Sequence, residues 1–250
     1  MINLNKQNKN VNFWAYSDIK LSKRWINYIL INKEYYLRKE FEKNGLEYSD
    51  KIITISLGIF TKDFGWDKTE RVMENLLNDC LEELIDLKLD IPIFLKPYPL
   101  ATPIKNKENI DTLYKILLSQ NYKKFVVTYL HPMILAQSSM LMIANSNTAT
   151  FADFRYFDVP TIEYTHYSDL LLKKTNNQSI RPDWVSYFIN HDRIKLKNCL
   201  KKLTSEKFTK YNYIPNKINS NEVNNQLINR LNGNKKLIIQ KYESIEQYLN

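Results

Sequence analysis

The sequence predicts an α/β fold built on a doubly wound parallel sheet, and three observations carry that expectation. Between residues 51 and 163, short β-branched runs that are apolar on both faces alternate with longer stretches of helical periodicity. Such alternation is the pattern of successive βαβ units, whose crossovers are right-handed. The composition agrees, since 250 residues at 44% hydrophobic, 13% aromatic and 25% charged can bury an ordinary core.

The elements follow in order. Residues 1–10 are polar and predict a frayed start. Trp25, Ile26, Ile29, Leu30, Tyr36, Leu37 and Phe41 recur at roughly helical spacing, with a helix over 35–44 closed by Gly45 as the residue after its cap. Residues 51–60 (KIITISLGIF) predict a buried strand. A helix is expected over 69–87, its apolar stripe running from Val72 to Ile85 and placing Cys80 in the core. The alternation continues with strands at 91–96, 124–130, 140–144 and 159–163 and helices at 110–120, 132–138 and 149–157. A helix opened by Asp192 as its cap is expected over 192–203, and a terminal one over 237–249. Residues 204–234 are polar and loop-rich.

Composition excludes several function classes. No stretch approaches the ~20 apolar residues of a membrane span, and residues 1–14 lack the ~7–15-residue apolar run of a secretory signal. Cys80 and Cys199 provide neither a disulfide framework nor a zinc site, so the expected location is the reduced cytoplasm. Four glycines are too few and too scattered for a GxGxxG or Walker loop. No nucleophile elbow, hydrolase carboxylate pair or metal-ligand spacing stands out, and no cofactor or metal is implied. Charge is uneven: of the net +9, residues 171–250 hold 15 Lys and Arg against 6 Asp and Glu, while residues 51–170 are slightly acidic. A basic flank suits an anionic polymer or the inner membrane face, or is simply a solvated lysine-rich surface. No recognition motif accompanies it, so sequence-specific nucleic-acid binding is not expected.

In an open parallel sheet, ligands bind beyond the carboxyl ends of the strands. That rule selects the loops at 58–64, 96–102, 130–132, 145–150 and 164–169. Asn145 to Thr150 (NSNTAT) runs from a buried strand into a helix. Its hydroxyls and amides can cap that helix, hold a phosphate, or do both. Lys96-Pro97-Tyr98-Pro99 presents one positive charge and one aromatic hydroxyl from a stiff loop. His131 and His166 also fall in strand-end loops. His131 joins the nucleotide-contacting candidates, with helix capping or surface exposure as the alternative for each.

These pieces, in this order, resemble the C-terminal, nucleotide-sugar-binding domain of GT-B glycosyltransferases of bacterial capsule and surface polysaccharide synthesis, notably Kdo- and sialyltransferase-like enzymes. Two motifs carry the resemblance. Phe94-Leu95-Lys96-Pro97-Tyr98-Pro99 is similar to the family's strand-end KPHP. Ala144-Asn145-Ser146-Asn147-Thr148-Ala149-Thr150, followed by Asp153 and by Val159-Pro160-Thr161-Ile162-Glu163-Tyr164, is similar to its Ser/Thr turn, acidic helix and return strand. The likeness covers about residues 50–205. It implies a Rossmann-like GT-B half in which Lys96, Tyr98, His131, Ser146, Asn147, Thr148 and Asp153 meet the nucleotide, Asp153 at the ribose. Tyr98 stands where the family has histidine, and Asp158 replaces the usual glycine, a position aspartate tolerates.

The expected organisation is a helical N-terminal segment (1–50), the nucleotide-sugar-binding domain (51–204) and a basic, loop-and-helix C-terminal extension (205–250). The resemblance implies a glycosyltransferase, or its donor-binding part, using a CMP-, UDP- or GDP-linked sugar. With about fifty residues before the first strand, the expectation is either that its catalytic base lies on an acceptor-domain partner chain or that the chain is a truncated or repurposed enzyme, and no catalytic residue is assigned. Two alternatives stay open. One is a nucleotide-sugar 2-epimerase-like enzyme. The other is a non-catalytic subunit whose basic end docks an anionic polymer or a membrane surface.

Overall fold

A computed structural model describes residues 23–58, 72–98, 103–120, 122–145 and 148–205. The chain divides into two compact units, Ile29–Ile214 on one hand and Met1–Tyr28 with Pro215–Asn250 on the other. In the second unit only residues 23–28 are described, as the opening turns of a helix. The expected terminal helix over 237–249 lies outside the described residues.

Six strands alternate with helices, one more than the five the sequence predicts. Helix α1 (Lys23–Lys43) leads into β1 (Ile52–Ser56), α2 (Val72–Asp86), β2 (Ile93–Lys96) and α3 (Pro103–Ser119). Then come β3 (Phe125–Val127), α4 (Pro132–Ala136), β4 (Ser139–Ala144), α5 (Thr150–Arg155) and β5 (Thr161–Thr165). The series ends with α6 (Asp169–Lys174), β6 (Tyr187–Asn190) and α7 (Arg193–Ser205). All strand pairs are parallel, in the order β3-β2-β1-β4-β5-β6. No helix among the described residues is long and apolar enough to cross a membrane.

Two elements were not expected from sequence, α6 and β6. Helix α6 buries none of its side chains, so no apolar stripe announces it. Strand β6 is a four-residue edge strand of mostly half-buried side chains. Helix α3 also starts earlier than its apolar periodicity, at Pro103, whose missing N–H and fixed φ suit a first helical position.

One layer of helices buries the larger core. Leu76, Leu77, Cys80, Leu81 and Leu84 of α2, Leu113 and Leu117 of α3, and Leu196, Leu200 and Leu203 of α7 close over Ile53, Ile55, Leu95, Leu141, Ile143 and Ile162. On the other face, α4 and α5 lie against β1, β4 and β5, and Phe41 of α1 meets Phe94 edge-on at 5.2 Å. The β1–β4 register shifts between Ile52 and Ile53. There the Thr54 and Ser139 hydroxyls bond at 2.7 Å, and Ser139 Oγ donates to the Leu135 carbonyl of α4 at 2.9 Å. The polar atoms exposed by the bulge are thereby satisfied within the core.

Charge joins α2 to α7. The Arg193 guanidinium meets Glu83 Oε1 and Glu82 Oε2, each at 2.6 Å, and Lys197 Nζ lies 3.1 Å from Glu83 Oε2. Glu83 is almost fully buried, so these partners compensate a carboxylate withdrawn from water. Asp192 caps α7 as expected, accepting from Lys195 N at 3.0 Å.

Left-handed residues follow four helix ends, Gly45 after α1, Lys88 after α2, Asp158 after α5 and Asn176 after α6. After α1, Gly45 (φ +65°) donates to Glu42 O at 3.0 Å and Leu46 N to Phe41 O at 3.0 Å, the paired bonds of a Schellman ending. After α5, Asp158 (φ +54°) does the same, its N–H reaching Arg155 O at 3.0 Å while Val159 N reaches Phe154 O at 3.1 Å. Aspartate thus serves where glycine is the unstrained choice, as the sequence suggested. Asp158→Gly should therefore raise the unfolding free energy by about 0.5–1 kcal/mol, part of the penalty an L side chain meets at this φ. Denaturant unfolding checks it, and a loss of stability would mean that the Asp158 side chain holds the turn by a bond of its own.

Candidate functional site at the carboxyl ends of the strands

The chain leaves β1 toward β2 and β3, then returns to the other side of β1 at β4. The carboxyl ends of β1 and β4 therefore flank the topological switch point, where a crevice forms in such sheets. The register sets one row across this end: Lys96 beside Ser56, Ser56 beside Ala144, and Ala144 beside Glu163. Side chains in register share a face, so a lysine and a glutamate bracket two small residues at the switch point.

Lys96 ends β2 and is half-buried rather than solvated. Burial pushes its ammonium below the ordinary lysine range, and the Asp153 carboxylate pulls it back up. Asp153 is itself buried in the first turn of α5, the helix that follows β4. The fold thus brings together two residues with two strands, β3 and β4, between them in sequence, one from each side of the switch point.

Thr148 sits just ahead of α5, its Oγ1 accepting from Thr150 N at 3.2 Å. The N-cap itself is Ala149, which makes no side-chain capping bond, so Thr148 supplies the capping oxygen from one position further back. Ser146 and Asn147 lie outside the described residues. His131 is the N-cap of α4, its Nδ1 accepting from Met133 N at 3.3 Å. Tyr98 follows the buried Pro97 and is exposed, its hydroxyl directed to no described partner.

Sequence reasoning missed the charged group at the other end of the row. Glu163 is buried in the middle of β5, accepting from Tyr167 Oη at 2.5 Å and from the Ser179 hydroxyl. Burial pushes its carboxyl above the ordinary range, while Ser179, Tyr167 and the Arg181 charge draw it back. The Tyr167 hydroxyl also accepts from Ile180 N at 3.3 Å, which ties the loop before β6 to the strand. Beyond the ends of β5 and β6, the His166 and His191 rings stack at 4.6 Å, only 6° from parallel. His191 adopts a positive φ of 48° there. Glu163 is the one charged residue of β5, but its partners come from a segment without periodicity, so the sequence alone does not mark it as part of a site.

No family model and no curated protein matches the sequence. Solved structures similar to it include α,α-trehalose 6-phosphate synthase from Burkholderia multivorans, at TM-score 0.46 and 9% identity over 73% of this chain and 40% of that one. Another is the wall teichoic acid polymerase TagF, at TM-score 0.45 and 16% identity over 72% of this chain and 42% of that one. Os79 from O. sativa, in complex with UDP, aligns at TM-score 0.38 and 11% identity over 66% of this chain and 34% of that one. The chain thus spans less than half the length of each of these proteins.

Two outcomes follow from the electrostatics. Asp153→Asn removes the charge that supports the Lys96 ammonium, so the Lys96 titration followed by NMR should move further below that of a free lysine. An unchanged titration would show that the two groups do not sense each other. For Glu163, a carboxyl raised above 4.5 binds its proton more tightly folded than unfolded. Its contribution to stability is full below that value and is lost as pH rises through the folded one. Glu163→Gln is neutral throughout, so wild-type stability relative to the variant should fall as pH rises from about 4.5 through the raised folded value. Urea unfolding at a series of pH values reads this directly, and a flat difference would contradict it.

Proposed function

We propose that this chain is a glycosyltransferase, or the donor-binding part of one, that holds a nucleotide-sugar at the carboxyl ends of β1, β2 and β4. The reading extends to a CMP-, UDP- or GDP-linked donor and to a role in bacterial surface or capsular polysaccharide synthesis. The observation that carries it is the Lys96–Asp153 pair beside the switch point. A half-desolvated lysine, kept charged by a buried carboxylate, is a preorganised cation where an anionic ligand would enter.

When the bond between the anomeric carbon and the donor phosphate breaks, negative charge develops on the leaving phosphate. Lys96 stabilises that charge, and its low hydration makes the interaction stronger than at an open surface. Asp153 keeps the ammonium protonated and fixes its position, and as a carboxylate it can accept from a ribose hydroxyl. Thr148 completes the turn that leads into α5. The base that activates the acceptor hydroxyl is assigned to an acceptor domain, contributed by a partner chain or by a further segment.

Calorimetric titration with CMP-, UDP- and GDP-sugars tests the proposal. At least one donor should bind, and Lys96→Ala should weaken it by roughly tenfold or more, the scale of losing a hydrogen bond to a charged group. The unliganded variant should also melt below the wild type, because the buried Asp153 loses the charge that compensates it, so affinities are compared well below both melting temperatures. Absence of binding by every donor at millimolar concentration would overturn the reading.

A further inference from the structure

A cleft of about 570 Å³ opens along the edge of the sheet, where β3 has no outer neighbour among the described residues. Glu40 and Lys43 in the last turns of α1 form one wall, and Lys107 and Tyr114 of α3 form the other. Val127 and Tyr129 line it from the edge strand and the loop beyond. Lys107 and Tyr114 are seven residues apart, hence on one face of α3. The cleft falls within the ~300–1,000 Å³ of ordinary small-ligand sites. It is one strand away from the candidate nucleotide site, since Val127 is in register with Leu95, the residue before Lys96.

Its chemistry is specific. Lys43 and Lys107 are exposed, and neither forms an ion pair among the described residues. Glu40 Oε2 is buried without a hydrogen-bond partner there. The Tyr114 and Tyr129 rings are about half exposed. Thr128 N bonds to Leu95 O at 2.9 Å and Lys124 O accepts from Ile93 N at 2.9 Å, so the alternate residues 124 and 128 face β2. Val127 therefore turns its own N–H and C=O outward, toward the cleft.

We infer that this cleft binds an anionic saccharide, a sugar chain whose units carry carboxylate groups. Two lysines match the carboxylates. The Glu40 carboxylate and the Val127 carbonyl are acceptors only, and sugar hydroxyls are the donors they lack. The tyrosine rings offer apolar faces to the C–H faces of pyranose rings, with a hydroxyl at each tip. The choice of a saccharide over another anion rests on the donor-sugar reading above, for which this cleft is the place of the acceptor glycan.

Calorimetric titration of the full chain with trigalacturonic acid, maltotriose and inorganic phosphate tests the inference, with nucleotide-sugars titrated separately. Trigalacturonic acid should bind at least tenfold more tightly than maltotriose or phosphate. The double variant Lys43→Ala/Lys107→Ala should weaken it by tenfold or more while leaving the melting temperature and nucleotide-sugar affinity unchanged. Tyr114→Ala should weaken trigalacturonic acid and maltotriose alike. No binding of trigalacturonic acid at millimolar concentration, equal binding by the double variant, or equal affinity for phosphate would each overturn the cleft assignment. Saccharide binding without nucleotide-sugar binding would uphold the cleft and overturn the donor reading, and the reverse would overturn the cleft alone.

Discussion

Because β1 is hydrogen-bonded to β2 on one side and to β4 on the other, the chain leaves it in one direction and returns to its far side only after β3. Right-handed crossovers then place α2 and α3 on one face, and the connections after β3 on the opposite face. Both faces of the central strands are covered, so every side chain of β1 and β4 is buried. Polar groups are excluded from the sheet except where they find a partner. They gather at its carboxyl end, where the strands stop and the two helical layers diverge. The crevice is a consequence of topology, and the residues lining it are those the core did not claim.

The central pairing also carries a local irregularity that the chain satisfies internally. The shift between Ile52 and Ile53 brings Thr54 and Ser139 together, and Ser139 passes the hydrogen bond on to α4. Burying two hydroxyls is inexpensive only when both are bonded. Their chain locks α4 against the sheet, and α4 in turn packs on α5, the helix that holds Asp153. The position of a charged group at the crevice therefore depends on a neutral contact at the opposite end of the strand.

Much of this was legible in the sequence because central parallel strands are apolar on both faces. IITIS, IFLK and SMLMIA could be nothing solvated, and the helices between them show one apolar stripe each. Legibility fades where burial does. YFIN of β6 is half-exposed at the sheet edge, and DLLLKK of α6 leaves its leucines partly in solvent. Asp153, inside α5, was reached only through the family resemblance, whereas Lys96 and Thr148 could be found by the strand-end rule, because each lies next to an element boundary. Glu163 could not, since its partners Tyr167 and Ser179 come from a segment without periodicity. The edge cleft was likewise hidden, being assembled from α1, α3 and β3, which meet only in three dimensions.

The two buried carboxylates on this face solve the same problem differently. Glu163 is stabilised by hydroxyls four and sixteen residues further along the chain, a local arrangement that leaves no donor over for a ligand. Asp153 is compensated by the charge of Lys96, reached across the switch point. Each pairing carries a different consequence. Burial raises the Glu163 carboxyl and the hydroxyl bonds offset this only in part, while its network holds the loop before β6 in place. A lysine shared between a buried carboxylate and an open crevice keeps its charge although partly desolvated, and its field extends into the space beyond the strand ends. The field is therefore asymmetric, positive on the β2 side beside Lys96 and without a counterpart of equal strength at Glu163, whose burial favours the neutral carboxyl.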